Sequence, residues 1–273
     1  MSFNLSGLTR FARFLWRKSP QPGFRWTGRS AGILTAFGLF YPLLEVLTWA
    51  GFGLDELLYP DYRAAQIRSP VFIVGNPRSG TTFLHRLLAK DREQFTTMKT
   101  WEMFLAPSIF QRRMVKALAA LDRLLGHPLQ RRLAAREARW QEEHVSHHVS
   151  FYEPEEDDYL LLHIWSALTA WVSVGAFKEA GPYTYFDTAI SEGNRERIMT
   201  FYTQCLQRHL RAHSQGGQGD GRHYLAKNPA MTPKLKTVLE WFPDARVINL
   251  VRNPLQAIPS YVSLMQFTYE VMN

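Results

Sequence analysis

Val71-Phe72-Ile73-Val74-Gly75-Asn76-Pro77-Arg78-Ser79-Gly80-Thr81-Thr82 decides the reading of this chain. The apolar run Val71–Val74 predicts a central strand buried on both faces, as in a parallel sheet. A G-x-x-x-x-G turn from Gly75 to Gly80 then hands the chain to a helix start. Such a turn aims backbone N–H groups and the positive end of a helix at a phosphate. The nucleoside-triphosphate version continues with Lys-Ser/Thr, to reach the β/γ-phosphates and hold magnesium. Here Thr81-Thr82 stands in that place, and Arg78 is the only cation inside the loop. The loop is equipped to grip an anion, suits a ligand with a 5′-phosphate group, and lacks the usual tool for a γ-phosphate.

Working outward, Phe95–Met98, His223–Ala226 and Arg246–Val251 read as further strands. Thr81–Ala89, Arg195–His213, Thr232–Trp241 and the stretch from Pro254 read as helices. Alternating strands and helices predict an α/β fold, a P-loop NTPase-like parallel sheet flanked by helices. Ser108–His144 is helical and arginine-rich, with a break at Gly126-His127-Pro128; Arg112, Arg113, Arg131, Arg132, Arg136 and Arg139 read as a solvated face. Glu153-Pro154-Glu155-Glu156-Asp157-Asp158 reads as a helix opening, where acids meet the positive dipole end. Tyr159–Phe177 reads as a core helix or an apolar wall.

The 273 residues, 46% of them hydrophobic, allow one large α/β domain with a small appendage. A single cysteine, Cys205, excludes an internal disulfide framework. The formal charge of +8 is uneven: residues 1–44 hold six Lys and Arg and no acid, which leaves +2 for everything after. That is not a nucleic-acid footprint across the fold. An anionic membrane surface or simple solvation both fit such an arm. Ala31–Ala50 is mostly apolar, about the ~20 residues of a membrane span, but Pro42 and Glu45 interrupt it, and a carboxylate inside a span is costly. Three placements stay open for it: a span, an interfacial helix, and a core helix. The expected division is a basic, apolar helical appendage over residues 1–60 and a P-loop domain over 61–273, in a cytoplasmic or membrane-associated protein.

Three strand ends carry a cation: Arg78, Lys227 in Ala226-Lys227-Asn228-Pro229, and Arg252 in Leu250-Val251-Arg252-Asn253-Pro254. Ligands of α/β sheets bind outside the carboxyl ends of the strands, and one polyanion lying across all three would account for the pattern. Ser260 follows Arg252 by two helical turns, and an arginine fork with a hydroxyl suits a second phosphate. The plainer alternative is Pro254 opening a helix, with Arg252 in a surface ion pair.

Pro77-Arg78-Ser79-Gly80-Thr81-Thr82 resembles the 5′-phosphosulfate loop of sulfotransferases that use 3′-phosphoadenosine 5′-phosphosulfate (PAPS). Arg252-Asn253-Pro254 with Ser260 resembles their 3′-phosphate motif. The likeness runs from about Pro70 to Tyr261, toward the group containing many bacterial sulfotransferases and, more distantly, the tyrosylprotein sulfotransferases. It implies transfer of a sulfuryl group from PAPS to a hydroxyl of a small molecule, lipid or carbohydrate, with no metal. By the same resemblance, Arg78, Ser79, Gly80, Thr81 and Thr82 would hold the 5′-phosphate side. Arg252 and Ser260 would take the 3′-phosphate, Lys227 would stand beside the leaving group, and Glu102 would be the general base. Glu153, Glu155 and Glu156 are alternative bases. His144, His147 and His148 cluster in sequence, but no cysteine or acid completes a metal-ligand spacing. The chain stops at Asn273, soon after Ser260, where the family usually continues. The rival readings are a P-loop kinase or nucleotide-binding protein without sulfotransfer, and a non-catalytic membrane-associated member.

Overall fold

The computed structural model describes residues 27–143, 150–173, 177–214 and 221–272. Among them, β1 (Val71–Gly75), β2 (Phe95–Thr96), β3 (His223–Lys227) and β4 (Arg246–Leu250) form one parallel sheet in the order β2-β3-β1-β4. Register sets Ile73 opposite Lys227 and Gly75 opposite Leu250. Central β1 is buried throughout, as its unbroken apolar run requires. Its side chains alternate between two cores, as a strand dictates. Phe72 and Val74 join the larger core, while Val71 and Ile73 join the smaller one, closed by Leu84 and Leu88.

The helices are α1 (Gly28–Leu58), α2 (Thr81–Leu88), α3 (Thr100–Phe104), α4 (Ile109–Leu124), α5 (Pro128–Glu143), α6 (Leu168–Ser173), α7 (Phe177–Thr184), α8 (Phe186–Ala189), α9 (Glu192–His213), α10 (Leu235–Trp241) and α11 (Pro254–Met272). The Tyr159–Phe177 stretch is not one helix. A 3-10 turn over Asp157–Ile164 ends at Trp165, whose φ of 55° is left-handed, before α6 begins. Leu160, Leu161, Ile164 and Trp171 from this stretch still join the larger core.

Of the three placements open for residues 31–50, the span is not met: no helix among the described residues is long and apolar enough to cross a membrane. Instead α1 docks on the domain through Tyr41, Glu45, Thr48, Phe52 and Asp55, buried at the spacing of one helical face. Glu45, the residue that argued against a span, meets His163 Nδ1 at 2.8 Å, and His163 Nε2 donates to Met103 O at 2.8 Å. Burial pushes that imidazole down, but Glu45 outweighs it and holds the ring above its ordinary value. Asp55, near the other end of α1, accepts from the backbone N–H groups of Ile109 and Phe110 at 2.8 and 2.9 Å. A carboxylate from one helix thus satisfies the open N-terminus of another.

Candidate active site

The loop after β1 needs its glycines. Gly75 has φ +134°, and a Cβ there would lie 2.3 Å from Leu250 O. That atom belongs to the neighbouring strand's backbone and cannot swing away, so any side chain would force β1 and β4 apart. Gly80 has φ +92° at the start of α2, and Arg78 itself is left-handed at φ 68°. A non-glycine residue held there is a strained conformation of the kind that clusters at ligand sites.

Because β1 lies between β3 and β4, the segments leaving all three strands meet at one edge. Arg78 Nε donates to Ser260 Oγ at 2.9 Å, and an Arg252 guanidinium nitrogen donates to Arg78 O at 3.0 Å. The lysine-free loop and the Arg252–Ser260 segment are therefore in direct contact. Arg252 is otherwise exposed, with Gln256 Oε1 at 3.4 Å.

Lys227 ends β3 next to the loop and is buried. Its Nζ donates to Glu156 Oε1 at 3.0 Å and Glu155 Oε2 at 3.5 Å. Arg86 on α2 reaches the same strap, with Glu155 Oε1 at 3.1 Å and Glu153 Oε2 at 3.3 Å. The acidic run is thus not simply a helix opening. Only Asp157 and Asp158 enter the 3-10 turn, and the preceding carboxylates are aimed at cations from β3 and α2. Asp158 pairs with Lys234 Nζ at 2.6 Å. Asp157 is fully buried and accepts from Tyr202, from Tyr224 at 3.1 Å and from Asn228 Nδ2 at 3.0 Å. Burial pushes its carboxyl up to about 6 against the pull of those three donors. It ties Asn228, and with it the end of β3, to the strap.

Glu102 lies elsewhere in this network. It is 1% exposed; its Oε2 accepts from Lys99 N at 2.9 Å, its Oε1 from His213 Nε2 at 2.7 Å, and Arg112 stands 3.7 Å away. Burial pushes its carboxyl up, yet Arg112, the His213 hydrogen bond and the neighbouring imidazoles outweigh this and hold it well below the usual carboxylate range. Arg112, expected on a solvated face, is buried: it donates to Ala106 O at 2.9 Å and meets His209 Nδ1 at 2.9 Å. The other arginines of that set are exposed. Glu102, His209 and His213 present ligand atoms within 4.8 Å of one another, but the guanidinium of Arg112 already takes the His209 lone pair that a metal would need. Glu102 and Arg112 form a buried ion pair to which the two imidazoles are hydrogen-bonded. His144, His147 and His148 lie outside the described residues.

The acidic strap's contacts with Lys227 and Arg86 are the part that sequence reasoning missed. One signal was available: Glu153–Asp158 holds five acids in six positions, more than a helix opening uses.

A parallel sheet, a glycine-rich loop at its carboxyl edge and Thr81-Thr82 in place of Lys-Ser/Thr define a P-loop-type α/β protein without the Lys-Ser/Thr pair of the nucleoside-triphosphate loop. A sequence profile of the sulfotransferase family matches residues 70–273, and the chain belongs to that family. It is 28% identical over 247 residues, 86% of its length, to the omega-hydroxy-beta-dihydromenaquinone-9 sulfotransferases Stf3 of Mycobacterium bovis and Mycobacterium tuberculosis. It spans 55% of the length of those relatives. Among solved structures, the fold is similar to the sulfotransferase STF9 of Mycobacterium avium, with a TM-score of 0.55, 20% identity and coverage of 81% of this chain and 52% of that one. It is also similar to the sulfotransferase STF1 of Mycobacterium tuberculosis, with a TM-score of 0.50, 22% identity and coverage of 82% and 54%.

Proposed function

We propose that this chain is a PAPS-dependent sulfotransferase acting on the hydroxyl of a lipid-like acceptor. The observation that carries the reading is the contact between the Arg78 loop and the Arg252–Ser260 segment. A bisphosphorylated adenosine needs an anion clamp at each end of its ribose, and these two are near enough to serve one molecule. Loop amides with the hydroxyls of Ser79, Thr81 and Thr82 suit the 5′-phosphate, and Arg252 with Ser260 suits the 3′-phosphate.

PAPS supplies a sulfuryl group, whose S–O bond to the 5′-phosphate breaks as the acceptor oxygen bonds to sulfur. Lys227 and Arg78 stabilise the negative charge that develops on the departing oxygen. A carboxylate takes the proton of the acceptor hydroxyl. For that role we favour Glu156 over Glu102. Glu102 is sealed in with two bases and has low proton affinity, whereas Glu156 is partly exposed and bonded to Lys227. The acceptor class is suggested by the hydroxylated menaquinone in the relatives' name, and exposed Phe83 and Leu87 on α2 offer it apolar surface next to the loop.

The direct test is transfer of labelled sulfate from PAPS to hydroxylated isoprenoid lipids, phenols and glycans, with calorimetric titration of adenosine 3′,5′-bisphosphate. Arg252→Ala should weaken that nucleotide about 10- to 100-fold, from the roughly 1.5–3 kcal/mol of a charge-assisted hydrogen bond. Unchanged affinity, or magnesium-dependent binding of ATP in its place, would overturn the assignment. Glu156→Gln should slow transfer about 10²–10⁴-fold, the usual worth of a general base, with nucleotide affinity retained. If Glu102→Gln instead gives that result in a chain of unchanged stability, the base is Glu102.

A further inference from the structure

The positive charge of this chain sits on two segments. Residues 1–44 hold six Lys and Arg with no acid, and residues 113–139 hold seven against Asp122 and Glu137. Setting these thirteen cations and two carboxylates aside leaves 19 bases against 22 acids, so the remainder is net negative by three.

Apolar seams are exposed on α1, which begins in the first of these segments and runs past it, and on α4, whose seam lies within the second. On α1, Leu39, Phe40, Leu43, Val46 and Leu47 are 55–71% exposed, turned away from the face that docks through Tyr41, Glu45 and Thr48. On α4, Met114, Leu118 and Leu121, continued by Leu125, recur at i, i+4, i+7 and i+11 and are 49–67% exposed. Exposed Arg113, Lys116 and Arg123 accompany that seam, and exposed arginines continue along α5. A helix that only faces water has no use for an apolar seam at helical period. The two elements are anchored to each other. Asp55 of α1 caps α4, and Thr48 Oγ1 accepts from Gln111 Nε2 at 3.4 Å.

We propose that α1 and the consecutive helices α4 and α5 form a docking surface for a lipid bilayer bearing anionic headgroups. On α4 and α5 an apolar seam flanked by Lys and Arg is the pattern of helices that lie in the interface, with leucines entering the acyl boundary and cations meeting phosphates, and the α1 seam adds apolar surface beside it. Charge selects this occupant over a second copy of the chain, which would bring the seven cations of residues 113–139 against themselves. The inference is independent of sulfuryl transfer, because neither seam includes a residue assigned to the donor site.

Flotation of the full chain with phosphatidylglycerol and phosphatidylcholine vesicles tests it. The expected result is at least tenfold stronger partition onto the anionic vesicles, falling as salt is raised. Leu43→Glu with Leu47→Glu, and separately Leu118→Glu with Leu121→Glu, should each weaken that partition at least tenfold while leaving the circular dichroism spectrum unchanged. Equal partition onto both vesicle types overturns the proposal. So does full binding by both paired variants, or a concentration-dependent dimer that these substitutions abolish while vesicle binding persists.

Discussion

Arg208→Ala is expected to lower the free energy of unfolding by about 3–5 kcal/mol, the range for breaking a buried ion pair from one side. Arg208 sits on α9 with no exposed side chain. Its Nε meets Asp55 Oδ2 at 3.0 Å, one terminal nitrogen meets Glu56 Oε1 at 2.8 Å, and the other donates to Gln204 O at 3.3 Å. The guanidinium also lies over the ring of Tyr62, 3.9 Å from its centroid. Truncation removes the fork and the stacked plane together and leaves Asp55 buried with only its two backbone donors. Arg208→Lys should recover little of the loss, because one ammonium cannot reproduce a planar fork over an aromatic face. Urea denaturation measures the effect, and a shift below about 1 kcal/mol, the value of an exposed pair, would contradict the buried-network account.

Lys227→Met should reduce sulfuryl transfer by about 10²–10³-fold, comparable to removing one preorganised donor to a developing anion. Bisphosphate affinity should change far less, since the clamps contributed by Arg78, Arg252 and Ser260 are untouched. Methionine keeps most of the buried stem, so the test isolates the ammonium. Single-turnover transfer and equilibrium nucleotide binding, measured on the same preparation, separate the two effects. Equal losses in both would assign Lys227 to ground-state binding, and an unchanged rate would remove it from the chemistry altogether.

The sheet was legible in the sequence because its signals are local. The run Val71–Val74, the glycines at positions 75 and 80, and the alternation of strand and helix from His223 onward each declare themselves within a few residues. Arg78, Lys227 and Arg252 could also be set at one edge, since strand ends in a parallel sheet share a side. Residues whose state depends on distant partners were not legible. Arg112 looks like any surface arginine on a helix until His209, 97 positions away, accepts from it. Glu102 reads as an available carboxylate until Arg112 and His213 close around it. The acids at 153–158 read as helix-opening residues because Arg86 and Lys227, their partners, come from other layers of the fold. Glu45 stands in the sequence as an obstacle to a span, but only His163 explains why it is tolerated in a helix this apolar.

Asp55 joins three helices at a single atom group: α1 carries it, α4 begins on it and α9 supplies its arginine. Such a keystone makes damage non-local. Loosening the first helix would uncap the second and strand a cation inside the third, so these pieces should melt as one cooperative body and not peel off in sequence.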